Sequence, residues 1–300
     1  MLVAHQKFWC RLQISRVVAI PKNQTLWRLQ AKPHKIWWAP RAKIVNMILG
    51  GLQKTTLIDY PGKIACTVFT VGCNFRCGFC HNRDLVILKD FRNKPARNAT
   101  HSVAGGGLKE YREKEIFDFL KKRVGILDGV CITGGEPVLQ KDLEGFIKKV
   151  KKLGFLVKLD TNGSRPEVLK KLINKKLIDF AAMDVKTTFG DYPKVVGIKN
   201  YELRIKNSIR IILKSGVDYE LRTTVVPGIH DERVLVKMAK ELKDLAGKKK
   251  RVTWVWQNFR PKNCLDPRFL KIKPYSEKQL KGFLGKARKI LPGIKLRTYE

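Results

Sequence analysis

The sequence predicts an α/β fold built on a parallel sheet, and three observations carry that prediction. Short β-branched apolar runs alternate with longer amphipathic stretches from residue 47 onward. Six strand–helix units follow one another in a single row, as crossover connections between parallel strands require. Glycine, often paired with Pro or a second Gly, punctuates the units. The first expected strand covers residues 64–71, between Pro61-Gly62 and Gly72. Residues 110–123 have helical spacing through Ile116, Phe117, Phe119 and Leu120. Residues 129–133 form a short buried strand ending in Gly134-Gly135, and 141–153 a helix with Gly154 as its cap. A third strand over 155–159 leads to a helix over 166–173, with Pro166 in its first turn. Residues 178–185 are the fourth strand, and 201–214 a helix stopped by Ser215-Gly216. The fifth strand, 219–226, is closed by Pro227-Gly228. A helix over 231–245, a sixth strand over 252–257 and a last helix over 276–291 complete the row. An open barrel, a closed barrel and a doubly wound sheet all fit this pattern. Residues 93–107 are polar and glycine-rich and read as a surface loop over the site.

Composition narrows the function classes. The chain has 300 residues with 62 Lys and Arg against 26 Asp and Glu, a formal charge of +36. Its 44% hydrophobic content excludes a wholly disordered chain despite that charge. No apolar run reaches the roughly 18 residues of a transmembrane helix, so no membrane partner is expected. Lysines fall in doublets on expected helices, such as Lys148-Lys149 and Lys170-Lys171, as on a solvated face. The one basic run, Lys248 to Arg251, falls where a loop is expected. No basic strand interleaved with aromatics is present, so nucleic acid is not an expected partner.

Residues 1–46 read differently. They hold nine of the basic residues, none of the acidic ones and four of the six tryptophans, leaving +27 for the remainder. Their Arg-rich, acid-free composition loosely imitates a transit peptide, without a signal-peptide apolar core. We expect a disordered basic extension, or a stretch upstream of a true start at Met47, and a single domain over 47–300.

Three of the seven cysteines crowd into eight positions, Cys73-Asn-Phe-Arg-Cys77-Gly-Phe-Cys80, directly after the first strand. That crowding suggests metal or redox chemistry in a reducing, cytoplasmic compartment. Soft thiolates suit iron–sulfur or zinc. A structural zinc site takes four protein ligands, and His81, adjacent to Cys80, is an awkward fourth. A four-iron cluster held by three cysteines leaves one iron open to a substrate or cofactor.

Here the sequence resembles the radical S-adenosylmethionine (radical SAM) superfamily. More narrowly, it is similar to the activating enzymes of glycyl radical enzymes, especially those of anaerobic ribonucleoside-triphosphate reductase. The resemblance runs over roughly 47–300. Its motifs are Gly51-Leu-Gln-Lys-Thr-Thr-Leu-Ile-Asp-Tyr-Pro-Gly62, the cysteine loop ending Cys80-His81-Asn82, Gly134-Gly-Glu-Pro137, Asp160-Thr-Asn-Gly163, Asp184-Val-Lys186 and Arg222 to Gly228. It implies a partial (β/α)6 barrel. It implies one 4Fe–4S cluster on Cys73, Cys77 and Cys80, with S-adenosylmethionine on the open iron and Phe79 near the adenine. By the same resemblance, the loop of Gly134 and Gly135 would lie against the methionine amino group, with Glu136 supporting it. Asp160 and Asn162 would meet ribose hydroxyls or a small monovalent cation. Asp184 and Lys186 would hold the cofactor carboxylate, directly or through that cation, and Arg222 would complete the cofactor site. The reaction implied is reductive cleavage of the cofactor by an electron from flavodoxin or ferredoxin, then hydrogen abstraction from a glycine of a partner enzyme.

Each motif also has a plainer reading. Phe79 would be a core residue, Gly134-Gly135 a strand-to-helix turn, Asp160 and Asn162 helix caps, and Asp184–Lys186 a surface ion pair. His230 reads as a turn residue or helix start, and Cys264 as structural. Independently of resemblance, five of these motifs, from the cysteine loop to Arg222, follow or end five expected strands, where parallel barrels gather their active sites. Two other functions stay open at this stage. One is radical chemistry on a small molecule or RNA base. The other is a metal-bearing nucleic-acid-binding module.

Overall fold

The computed structural model describes residues 47–87, 109–248 and 252–297. The expectations for residues 1–46, for the loop over 93–107 and for most of the basic run at 248–251 lie outside these residues.

The chain enters through β1 (Leu49–Thr56), which pairs antiparallel with β2 (Ala65–Thr70). From β2 onward every strand is parallel to its neighbour: β3 (Gly129–Gly134), β4 (Leu156–Thr161), β5 (Phe180–Asp184), β6 (Asp218–Val225), β7 (Trp254–Asn258) and β8 (Ile294–Arg297). Among the described residues the sheet runs in strict sequence order, with β1 and β8 as its two edges. The barrel is therefore partial, open between those edges.

The crossover helices are α2 (Glu113–Lys121), α3 (Leu143–Lys152), α4 (Pro166–Asn174), α6 (Glu202–Lys214), α7 (Glu232–Ala246) and α8 (Glu277–Arg288). Two short helices, α1 (Arg83–Val86) and α5 (Tyr192–Val196), sit in the loops after β2 and β5. Each long helix buries one apolar stripe against the sheet. Leu143, Phe146, Ile147 and Val150 do so on α3, and Ile205, Ile209 and Ile212 on α6. Each such side chain contributes about 1.5–3 kcal/mol on burial, and the lysine doublets occupy the opposite faces. Their starts follow local chemistry: Asp231 caps α7 by accepting the amide of Val234, and Ser276 caps α8 by accepting that of Gln279.

Strands β2 to β7 are the six expected ones, with ends shifted by a residue or two. The sequence reading missed β1 and β8. The expectation that Asp160 or Asn162 caps a helix is not met either, because the N-cap of α4 is Arg165. No helix among the described residues is long and apolar enough to cross a membrane.

A candidate active site at the carboxyl ends of the strands

Parallel register brings the ends of β3 to β8 to one rim, and the cysteine loop follows β2 onto the same rim. A cavity of about 440 Å³ opens there. All twelve expected site residues line it: Cys73, Cys77, Phe79, Cys80, Gly134, Gly135, Glu136, Asp160, Asn162, Asp184, Lys186 and Arg222. That volume is in the range that takes a cofactor-sized ligand.

The cysteine loop is fixed by its backbone. Gly72 and Cys73 donate to the carbonyls of Leu85 and Val86 on α1, at 2.7 and 3.0 Å, and Cys80 donates to Cys77 O at 3.0 Å. On the far side a segment after β7 clamps it, with Leu265 N bonded to Cys80 O and Asp266 N to Gly78 O. Gly78 makes that clamp possible, because a Cβ there would lie 2.5 Å from the Phe269 ring. His81 belongs to this packing. Its Nε2 is 2.6 Å from Arg260 O, and its ring stacks on Phe259. Cys264 is buried in the clamp, next to the Leu265 amide that bonds Cys80.

The donor set suits a cluster. Three soft thiols stand on one loop at the cavity wall, and burial pushes Cys73 and Cys77 up to about 12 and raises Cys80 as well. Without a metal they are neutral thiols; loading must expel their protons. Among the described residues no three His, Cys, Asp or Glu converge tightly enough for a single ion. A cubane, with iron at several corners, draws its thiolates from farther apart. Asn74 Nδ2, beside Cys73, is a buried donor without a partner, and Asn162 Nδ2 lies 3.8 Å from Cys73 Sγ.

The glycine pair answers to the chain itself. Gly134 has φ +114°, and a Cβ on it would sit 2.4 Å from Thr70 N and O; one on Gly135 would sit 2.3 Å from Gly72 O. Gly135 N and Glu136 N donate to Thr70 O and Gly72 O, both at 2.8 Å. The close approach expected toward a ligand is thus first an approach of β3 to the root of the cysteine loop.

Glu136 is 1% exposed and ties two loops together. Its carboxylate accepts from Thr161 Oγ1 at 2.8 Å, Asn162 N at 2.6 Å and Val138 N at 3.3 Å. Burial raises its pKa to about 7, against the pull of those donors. A folded-state value above the unfolded one means that the folded chain holds an extra proton between about pH 4.5 and 7. Relative stability therefore falls as pH rises through that window and levels off above it. Glu136→Gln removes the titration, so its melting temperature relative to wild type should rise between pH 5 and pH 8. A gap that stays constant would refute this.

Beneath the cavity runs a ladder of alternating charge across β4, β5 and β6. Asp184 and Arg222 are direct cross-strand partners. Arg222 Nε donates to Asp184 Oδ1 and its Nη1 to Asp160 Oδ2, both at 2.9 Å. Lys186 Nζ meets Asp184 Oδ2 at 2.8 Å, and Lys158 pairs with Asp160 Oδ1. Burial alone would raise both carboxyls, but Arg222 with Lys186 holds Asp184 well below its ordinary value, and Arg222 with Lys158 lowers Asp160. The Asp184–Lys186 contact is thus one rung of a half-buried network rather than a surface pair. Lys186 Nζ also stands 5.9 Å from the centroid of the buried Phe79 ring.

Sequence reasoning missed Lys158, Glu220 and Arg297. Lys158 is 1% exposed, and Glu220 takes Arg297 Nη2 at 2.6 Å. The signal was available: Lys158 and Glu220 lie two residues before Asp160 and Arg222, hence on the same face of their strands. His230 does stand between a turn and a helix start, as expected, but its full burial with both ring nitrogens bonded was not foreseen.

Comparison with known proteins agrees with this site. The radical SAM superfamily model matches residues 67–258. A Methanocaldococcus jannaschii protein named as a glycyl-radical enzyme activating enzyme is 36% identical over 260 residues, covering 85% of this chain and 97% of that one. A pyruvate formate-lyase-activating enzyme of Streptococcus mutans is 31% identical, covering 67% of this chain and 74% of its own. Among solved structures, QueE from Escherichia coli shares the fold at a TM-score of 0.50 and 14% identity, covering 85% of this chain and 95% of its own. The chain belongs to the radical SAM superfamily, in its glycyl-radical enzyme activating branch. By that membership it is a radical SAM enzyme, and the family's 4Fe–4S cluster and S-adenosylmethionine are its cofactors.

Proposed function

We propose that this protein generates the glycyl radical of a partner enzyme, and that the partner is an anaerobic ribonucleoside-triphosphate reductase. The observation that carries the reading is the opening of a three-thiol loop into the same cavity as the polar ends of the parallel strands. The choice of partner rests on the overall resemblance of the sequence to the activating enzymes of that reductase.

Cys73, Cys77 and Cys80 would hold the cluster. When bound and reduced, it supplies one electron that cleaves S-adenosylmethionine to methionine and a 5′-deoxyadenosyl radical able to take a glycine hydrogen. The chain's own task is to bind, orient and exclude water. Lys186 offers an ammonium to the cofactor carboxylate. Phe79 gives an apolar wall for the adenine. Gly134 and Gly135 shape the wall for the methionine end, and Glu136 holds Asn162 in place. Asp160 and Asp184, with Arg222 between them, form the polar floor. A monovalent cation at that floor would have to displace Arg222 or a lysine, since both carboxylates already meet cationic side chains. A low-potential carrier such as flavodoxin or ferredoxin, in the cytoplasm, would supply the electron.

The test is anaerobic reconstitution of the full chain, reduction, and addition of S-adenosylmethionine with a candidate reductase. A glycyl radical signal in electron paramagnetic resonance, accompanied by 5′-deoxyadenosine, is expected. Deoxyadenosine without the radical would discard this partner and turn attention to other substrates.

A further inference from the structure

The segment that carries Lys186 is held more completely than a loop after a strand requires. Val185 N donates to Arg222 O at 2.8 Å, as sheet pairing provides. The other three backbone polar groups of Val185 and Lys186 are taken by buried side chains. Thr223 Oγ1 donates to Val185 O at 2.7 Å. Lys186 N donates to Tyr192 Oη at 3.0 Å. His230 Nε2 lies 2.8 Å from Lys186 O. His230 Nδ1 accepts the amide proton of Val226 at 3.0 Å, so the ring proton of a neutral imidazole is on Nε2 and is donated to Lys186. Tyr192 and His230 are both fully buried. Burial also drives His230 down to about 4, which keeps the ring neutral and this tautomer in place.

This anchoring has a direction. Lys186 is the cation between the floor of the cavity and the cysteine loop, bonded to Asp184 and facing Phe79. A lysine on a loose loop would give up backbone freedom as well as rotamer freedom on binding an anion. With its backbone fixed on both sides, only the side chain remains to be ordered. We infer that His230 and Tyr192 are positioning residues: they fix the Lys186 backbone so that its ammonium is set in advance for the cofactor carboxylate. The inference deepens the proposed function and rests on it.

The test is a double-mutant cycle on cofactor affinity. The anaerobically reconstituted full chain and its His230→Ala, His230→Gln, Tyr192→Phe and Lys186→Met forms are compared, together with the His230→Ala/Lys186→Met and Tyr192→Phe/Lys186→Met doubles. Binding of S-adenosylmethionine is measured by equilibrium dialysis, and circular dichroism melting checks the fold. His230→Ala is expected to weaken binding about tenfold, as loss of an orienting partner commonly does. His230→Gln, which keeps a donor, should recover part of the loss. On the Lys186→Met background His230→Ala should add less than about twofold, because its effect travels through Lys186. Tyr192→Phe, which removes a single hydroxyl, should show the same dependence on Lys186 and serves if His230→Ala does not fold. Equal losses with and without Lys186 would overturn the inference, as would unchanged affinity in folded variants. A wild type that holds four irons yet fails to bind the cofactor would instead overturn the reading beneath it, and this inference with it.

Discussion

Changing Cys73, Cys77 and Cys80 together to serine is expected to abolish iron and sulfide binding after reconstitution, with loss of all cofactor cleavage. Each thiol reaches the cavity from one loop, and a hydroxyl neither deprotonates nor bonds iron as a thiolate does. The fold should survive. The loop is fixed by backbone bonds to α1 and to the segment around Leu265, none of which uses a thiol. A serine hydroxyl left without a partner at Cys77, 6% exposed, would cost about 1–3 kcal/mol. Iron and sulfide analysis beside a melting curve separates the two effects. A triple variant that still held four irons would refute the ligand assignment.

The second large effect belongs to Arg222. Its guanidinium bridges Asp160 and Asp184 from one position, which lysine, with a single point charge, cannot do. Arg222→Met would leave two half-buried carboxylates facing each other across the sheet. Removing one partner of a buried pair costs about 3–5 kcal/mol. Lys158 and Lys186 remain to compensate, so about 3 kcal/mol at neutral pH is the expected loss by chemical denaturation. In the wild type both carboxyls are held low, so their contribution is present above the unfolded value near 3.8 and lost only below it. In the variant both values rise, and the folded state takes up protons as the pH falls. The deficit should therefore shrink from pH 8 to pH 5. A deficit independent of pH would mean that packing rather than charge is what Arg222 supplies.

Much of the site was legible because it sits where the pattern of the chain changes. Cys73 to Cys80, Gly134-Gly135, Asp160, Asp184 and Arg222 are polar or glycine interruptions in strongly apolar strands or at their ends, and parallel topology dictates that those ends meet. The missed strands have no such contrast. β1 reads LGGLQKTT, with two glycines and β-branched residues only at its last two positions, and is a strand because β2 pairs with it. β8 is only four residues long and lies at an edge. Lys158 was hidden because a lone lysine in a strand suggests solvent, whereas here Asp160 takes it inside. His230 lay beyond any periodic pattern: what it binds, the carbonyl of Lys186, is 44 residues away. Local pattern thus revealed which residues stand at the rim, and tertiary contact decided which of them pair.

The most direct test of the account is the spectrum of the reduced, reconstituted chain with and without S-adenosylmethionine. One four-iron cluster per chain, whose electron paramagnetic resonance signal changes when the cofactor is added, is the predicted result: three thiolates would leave an iron open, and the cavity beside them would take the cofactor. A cluster whose signal ignores the cofactor, or a single bound zinc, would contradict the account.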